Sequence, residues 1–398
     1  MFHISKNLRE NFYKYLAKTN SNPLGIEIKS AKGNYLYDNK NKKYLDFIAG
    51  VSVCNLGHCH PKVINAIEKQ IKKHLHIMVY GELIQKTPTL LAKELINILP
   101  ENQEVLYLTN SGTESVEGAI KLAKRVTKRY EVISAKKSYH GSTQGSLSIL
   151  GIESQKNGYR PLIPFSKLIE YNNLKDLKKI TNKTAAVILE TIQGGAGFIL
   201  PKNNYLKKVK SRCEKVGALL ILDEIQTGFG RTGKLFGFEL FNVNPDIIVL
   251  GKAMGGGLPI GGFTSSQKFM RKFESNPMLG HITTFGGNPL TAAAGLATIR
   301  EILNSDLISK ISEKEELFRK NLIHPKILKI QGTGLMLAPI LKNKELASQL
   351  IYKCIDKGLL LFWLLWEKRA VRISPPLTIS KSEIIKGCKI ICESLDEI

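Results

Sequence analysis

The chain has 398 residues, 43% of them hydrophobic, enough for one large domain and a smaller companion with buried cores. Its net charge of +24 raises the question of a nucleic-acid or acidic-membrane partner, yet only 11 of its 58 basic residues are arginine. The lysines are scattered, as in "SAKKSYHG", "KKVKSRCEK" and "SEKEELFRKN", with no arginine-rich stripe or aromatic interleaving, so the charge reads as a solvated surface and argues against nucleic acid.

The N-terminal stretch "MFHISKNLRENFYKYLAK" lacks the apolar core of an export signal, and "LLLFWLLW", Leu359 to Trp366, is less than half the roughly 20 residues a membrane helix needs. That run is expected to be a buried strand, and no membrane partner is expected. Six cysteines form no CxxC pair and lie beside no zinc-spaced histidines; Cys388 and Cys392, four apart in an apolar helical pattern, read as core. A reducing cytoplasm suits this pattern.

From about residue 105, short β-branched runs alternate with helical segments. The runs are "VLYLT", "EVISA", "AAVILE", "LLILDE" and "IIVLGK", with "GGFTSS" a candidate sixth. Between the first two, Val116, Ile120, Ala123 and Val126 recur on one helical face, and "NNYLKKVKSRCEKVG" plays the same part before "LLILDE". The alternation predicts βαβ units: an α/β fold whose mostly parallel sheet is covered by helices on both faces. The pattern changes in the last hundred residues. We therefore expect an N-terminal segment, 1–55, that packs with a smaller α+β domain, 291–398, and a large domain spanning 56–290.

Parallel α/β sheets bind ligands beyond the carboxyl ends of their strands. That rule selects Ser111 to Thr113, Glu190, Asp223 with Glu224, and Lys252. "NSGTE" opens a helix, where the N–H groups of Gly112 and Thr113 and the hydroxyls of Ser111 and Thr113 favour a phosphate; an ordinary capping box of Ser111 with Glu114 is the alternative. Asp223 ends a very apolar strand and needs a cation or donors, whether for a ligand, an ion pair or a metal, although no nearby histidine in sequence completes a metal site. Lys252 stands between "IIVLG" and "AMGGGLPIGG". A lysine at the mouth of a low-dielectric pocket becomes a nucleophile toward aldehydes, the alternative being a phosphate contact or a surface side chain. Glycines 255, 256, 257, 261 and 262 would give the backbone room to approach a bulky ligand. A phosphate cradle, an anion for a ring nitrogen and a nucleophilic lysine together are what pyridoxal 5'-phosphate requires.

Along nearly its whole length the chain resembles the class III (subgroup II) aminotransferases, fold-type I pyridoxal-phosphate enzymes, most closely the acetylornithine and ornithine group. The carrying motifs, in the family's order, are "YLDFIAGVSVCNLGHCHP", "NSGTE", "YHG", "ETIQGGAG", "LLILDEIQTGFGRTGKLFGFE", "PDIIVLGKAMGGGLPIGG", "HITTFGGNPL" and "VRISPPLTI". The resemblance implies a homodimer with its active site at the interface, acting on amino-acid and 2-oxo-acid substrates. It implies that Lys252 holds the cofactor covalently and moves the substrate proton, that Asp223 pairs with the pyridinium nitrogen, that Gln226 bonds near the phenolic oxygen and that Tyr139 stacks on the ring. Ser111, Gly112 and Thr113 would hold the phosphate, joined by Thr284 from the second subunit. Arg372 would clamp a substrate carboxylate, with Glu190 as a gate that pairs with it when an ω-amine is bound. His140 reads as a packing or hydrogen-bonding residue, Arg231 as structural or interfacial, and His58 and His60 as turn residues, so no metal is expected. One departure concerns the substrate: acetylornithine and ornithine enzymes usually carry arginine where this chain has Ser142, in "YHGST". Lys136 or Lys137 is a candidate replacement cation, and Thr283, commonly Ser, keeps a hydroxyl for the donor. The implied reaction moves the terminal amine of an ornithine-like donor, N-acetylornithine first and N-succinyl-diaminopimelate second, to 2-oxoglutarate by ping-pong kinetics. Ornithine, 4-aminobutyrate or another ω-amine are the alternatives, with a decarboxylase or aminomutase on the same scaffold more remote.

Overall fold

The structure, a computed structural model, describes residues 8–398, so the start of the N-terminal stretch lies outside the described residues. Strands β1 (Ile28–Lys32), β2 (Tyr35–Asp38) and β3 (Lys43–Asp46) form an antiparallel meander. Its second turn is closed by Asp38, whose Oδ1 accepts the N–H groups of Lys40 and Lys42 at 2.9 and 2.8 Å.

The central sheet has seven strands: β4 (Val105–Thr109), β5 (Glu131–Ala135), β6 (Ser166–Ile169), β7 (Thr184–Glu190), β8 (Leu219–Asp223), β9 (Ile247–Leu250) and β10 (Gly261–Ser265). Their order is β4-β10-β9-β8-β7-β5-β6. All neighbours are parallel except β10, which runs antiparallel to β9 and β4. The five β-branched runs and "GGFTSS" are thus strands of one sheet, and the last of them reverses direction. β6 escapes the sequence pattern because "SKLI" is an edge strand with only Ile169 fully buried. In contrast, β7 and β8 are buried at every position, as strands covered on both faces must be.

Each face has its own core. On one side the helix Gly112–Thr127 packs Val116, Ala119, Ile120 and Ala123 against Ile188, Ile221, Val249 and Phe263. On the other, the helices Lys86–Asn97, Tyr205–Val216 and Pro289–Leu303 bury Leu91, Leu95, Leu206, Val209, Ala292 and Ile299 beside Val187, Leu222 and Ile248. The helix that follows residue 290 therefore belongs with the sheet.

A further core gathers Tyr44, Leu45 and Phe47 with residues of the helices Ile311–Asn321, Lys344–Asp356 and Lys381–Asp396, among them Phe318, Leu350 and Cys388. An antiparallel hairpin, β11 (Ile327–Thr333) and β12 (Met336–Leu341), joins it. The run "LLLFWLLW" is not one buried strand. It divides into β13 (Leu359–Leu360), which pairs in parallel with β3, and β14 (Phe362–Trp363), which pairs with β15 (Val371–Arg372). Leu361 and Leu364 are buried while Phe362 and Leu365 face outward. Cys388 is core as expected, but Cys392 is half-buried. No helix among the described residues is long and apolar enough to cross a membrane.

Candidate active site

The carboxyl ends of β7, β8 and β9 bring Glu190, Asp223 and Lys252 together above the sheet, with the helix start at Gly112 beside them. At the end of β8 the two acids part. Asp223, 5% exposed, has its Oδ2 2.7 Å from His140 Nδ1, while its Oδ1 accepts the N–H of Ile225 at 3.0 Å. A histidine does therefore reach this carboxylate, from 83 residues away. Its Nε2 is buried and has no hydrogen-bond partner among the described residues. Glu224 turns into the opposite core, where it accepts the hydroxyls of Thr191 and Thr227 at 2.6 and 2.7 Å and the N–H groups of Gly237 and Phe238 at 2.7 and 2.8 Å. Burial raises its pKa to about 7 against the pull of those four donors. It secures the loop after β8 and is not half of a paired "DE" site. Among the described residues no group of three or more His, Cys, Asp or Glu is placed to hold a metal ion.

Lys252 begins a tight turn, Lys252–Gly255, in a left-handed conformation (φ 46°). Its ammonium makes no hydrogen bond or ion pair among the described residues. Burial lowers its pKa to about 8; Asp223 and Glu190 oppose that shift, and Arg372 adds to it. The glycines here seat the turn instead of leaving it slack. Gly256 has φ 57°, and a Cβ on it would lie 2.2 Å from Thr298 Oγ1 on the helix Pro289–Leu303. Among glycines 255, 256, 257, 261 and 262, Gly257 alone faces empty space.

At the helix start Ser111 is the N-cap, its hydroxyl accepting the Glu114 N–H at 3.3 Å. Glu114 does not reciprocate: it accepts from the backbone and side-chain nitrogens of Asn110, both at 2.8 Å. The N–H groups of Gly112 and Thr113 have no acceptor among the described residues, as first-turn donors of a helix lack one within it. Thr113 Oγ1 lies 2.8 Å from Thr143 Oγ1 and 2.7 Å from Ser146 Oγ.

Glu190, 8% exposed, accepts the N–H of Tyr139 at 2.9 Å and that of Gly194 at 2.7 Å. Burial raises its pKa to about 7. Gln226 lies across Gly194, where a Cβ would come 2.3 Å from its Oε1, and its Nε2 donates to Ser52 Oγ at 3.3 Å. Arg372 on β15 is 4% exposed, with Nε and Nη1 unpartnered among the described residues and its guanidinium 5.6 Å from the Phe198 ring centroid. Burial alone lowers its pKa to about 10. Glu190 and Arg372 form no ion pair here.

Tyr139 is 38% exposed and places its hydroxyl 3.2 Å from Ser142 Oγ. Of the two candidate cations, Lys136 is paired with Glu170. Thr283 Oγ1 accepts from Asn110 Nδ2 at 3.1 Å and from the N–H of Gly286 at 2.7 Å, with the exposed Thr284 beside it. Arg231 is fully buried and bonds Asn55 and the carbonyls of Leu335 and Pro375, so it fastens the loop after β8 to the C-terminal core. Sequence reasoning overlooked Ser52 and Asn55; the only available signal was their place within a longer motif.

A family profile described as aminotransferase class-III matches residues 15–395. The chain belongs to the class-III aminotransferases. It is 36% identical to an acetylornithine aminotransferase of Caldanaerobacter subterraneus over 97% of this chain and 98% of that protein. It is also 36% identical to a putrescine aminotransferase of Pectobacterium atrosepticum, over 96% of this chain and 86% of that one. A crystal structure of the ornithine aminotransferase from Toxoplasma gondii, described with pyridoxal phosphate at the active site, superimposes with a TM-score of 0.90 at 28% identity, covering 98% of this chain and 94% of that one. The class-III enzyme described here is therefore a pyridoxal-phosphate-dependent aminotransferase of fold-type I. Its residues fit the cofactor: free N–H donors at a helix start suit a phosphate, the Asp223 carboxylate suits a ring cation, and the unpaired amine of Lys252 suits an aldehyde.

Proposed function

We propose that this class-III aminotransferase moves the terminal amine of an ornithine-like donor, N-acetylornithine first and N-succinyl-diaminopimelate second, to 2-oxoglutarate, giving a semialdehyde and glutamate by a ping-pong course. The observation that carries this reading is Arg372, a buried guanidinium with two unfilled nitrogens near Lys252. A planar, permanently charged fork without a protein carboxylate suits the carboxylate of an incoming oxo acid.

Bound pyridoxal phosphate supplies an electron sink at the reacting carbon. In our reading Asp223, steadied by His140, keeps a proton on the ring nitrogen, Gln226 donates near the phenolic oxygen and Tyr139 covers the ring. Ser111, Gly112 and Thr113 bind the phosphate. Lys252, with its pKa near 8, carries the proton to and from the substrate carbon at neutral pH. Glu190 turns to Arg372 when the bound substrate has no carboxylate there, and releases it for glutamate.

We also propose a cytoplasmic homodimer. A cleft of about 650 Å³ between residues 79–89 and the segment 278–287 is flanked by the exposed Ile84, Met278 and Ile282. Thr284 lies on that same segment, and in our reading it reaches the phosphate site of a second copy. Covering so much exposed apolar surface favours association.

A second reading of the donor rests on Ser142. Ser142 stands where arginine is usual, and Lys136, one candidate replacement, is paired with Glu170. An ω-amine without a carboxylate at that position needs none, and the putrescine aminotransferase relative is consistent with such a donor. Initial rates with N-acetylornithine, N-succinyl-diaminopimelate, ornithine, 4-aminobutyrate and putrescine, each against 2-oxoglutarate and pyruvate, test both. Preference for N-acetylornithine supports the first reading. Preference for putrescine replaces it with the second, and no turnover with any pair sinks both.

A further inference from the structure

Between β3 and residue 58 the chain makes an unusual turn. Ala49, Gly50, Val51 and Ser52 are successive left-handed residues, with φ of 50°, 61°, 65° and 63°. Only one is glycine, and left-handed backbone is unfavourable for the other three, so the surroundings must hold it. Asp46, 1% exposed, does so from one side. Its Oδ1 accepts the N–H groups of Ile48 and Ala49 at 2.7 and 3.0 Å, and its Oδ2 lies 2.7 Å from His58 Nε2. His58 is anchored in turn by its backbone, which exchanges hydrogen bonds with Gly33 at 2.7 and 2.9 Å. From the other side Ser374, two residues beyond Arg372, donates its N–H to Phe47 O at 2.8 Å and its hydroxyl to Ile48 O at 3.2 Å.

The turn delivers one side chain to the active site. Ser52, 1% exposed, places its Oγ 3.3 Å from Gln226 Nε2. Because that hydroxyl accepts from the amide nitrogen, the amide oxygen of Gln226 faces Gly194. We propose that Asp46, His58 and Ser52 are positioning residues: they fix the orientation of the Gln226 amide through the strained turn, and the turn's bonds to Ser374 tie that orientation to the strand bearing Arg372. The proposal rests on the reading that Gln226 meets the cofactor's phenolic oxygen.

The test is the pH titration of the visible absorbance of the purified holoenzyme, alongside its thermal midpoint. Gln226→Ala is expected to move the titration midpoint by about 0.5–1 pH unit, the effect of one hydrogen bond of ordinary strength on a titration. Ser52→Ala and Asp46→Asn should move it in the same direction. The Asp46→Asn/Ser52→Ala double variant should move it no further than the larger single change, because both act through one path. A merely structural role would lower the thermal midpoint and leave the titration where it is, and that result overturns the proposal. If Gln226→Ala itself leaves the titration unmoved, the cofactor contact of Gln226 is wrong and the proposal falls with it. If Gln226→Ala moves it while Ser52→Ala does not, only the positioning role is lost. Ser52→Ala removes a single atom, so the test stands even if Asp46→Asn fails to fold.

Discussion

Asp223 Oδ2 and His140 Nδ1 lie 2.7 Å apart beneath the site, and the histidine's other nitrogen is buried without a partner among the described residues. With its Oδ1 held by the Ile225 N–H and its Oδ2 by the imidazole, the carboxylate has a fixed plane. A carboxylate that must keep a ring nitrogen protonated gains from such support, much as partners behind metal ligands do. Replacing His140 with Ala should therefore lower kcat by about 10–100-fold with a smaller change in KM for either substrate, measured under saturating cofactor. Unchanged kcat would reduce His140 to packing.

Lys252 should be indispensable: Lys252→Ala is expected to abolish turnover while circular dichroism remains that of the parent protein. The pH dependence of its chemistry follows from its environment. Burial lowers the ammonium's pKa to about 8, so the neutral, nucleophilic amine grows as pH rises through that value. The rate at which cofactor-free protein captures pyridoxal phosphate should rise with pH to a plateau above about 8. A rise centred near the ordinary lysine value of 10.5 would show that the lowered pKa is wrong.

The sequence locates these strand ends because burial leaves a pattern. β7 and β8 are continuous apolar runs since both faces are covered, and a polar residue ending such a run stands out, as Glu190, Asp223 and Lys252 do. Partner choice leaves no such mark. His140 with Asp223, Ser52 with Gln226, and Arg231 with Asn55 are joined across 83, 174 and 176 residues. Periodicity shows which residues are inside, never whom they meet. The same limit explains the misreading of "LLLFWLLW": its hydrophobicity is real, but a break at Leu361 sends its halves to different sheets. It also explains Lys136, a plausible cation in sequence that the fold gives to Glu170.

Arg372 and Glu190 should divide the substrates. Arg372→Lys is expected to raise KM for glutamate and 2-oxoglutarate by about tenfold, since a point charge replaces a planar fork, and to change KM for the amine donor less. With its pKa raised to about 7, Glu190 is mostly neutral below that pH and becomes an anion able to draw Arg372 away above it. The KM for 2-oxoglutarate should thus increase as pH rises through about 7, and Glu190→Gln should flatten that rise. A parallel rise in both proteins would remove Glu190 from the gate.

Ser142 bears on the donor. It is exposed, and its hydroxyl meets that of Tyr139 at 3.2 Å. If the site lacks an α-carboxylate contact, Ser142→Arg should raise kcat/KM for N-acetylornithine several-fold and leave putrescine unimproved. A loss with N-acetylornithine would mean that another residue already grips that carboxylate.

His58 makes a stability prediction with a defined pH window. Its hydrogen bonds to Asp46 and Cys54 raise its pKa from 6.5 to about 10, against the opposing effect of burial. A group whose pKa is higher in the folded state binds its proton more tightly there. Its contribution is complete below about 6.5, where both states are protonated, declines as pH rises above that value, and is gone above about 10. His58→Gln keeps a side chain of similar size without the charge, leaving the buried Asp46 without its cation. At pH 6 the variant should be less stable by about 3 kcal/mol, the usual scale for breaking a buried pair. That gap, followed by chemical unfolding of both proteins at equal cofactor loading, should shrink steadily as pH rises toward 10. A gap that stays constant over this range would mean that the imidazole acts by shape and hydrogen bonding alone, and that its charge contributes nothing to holding the left-handed turn.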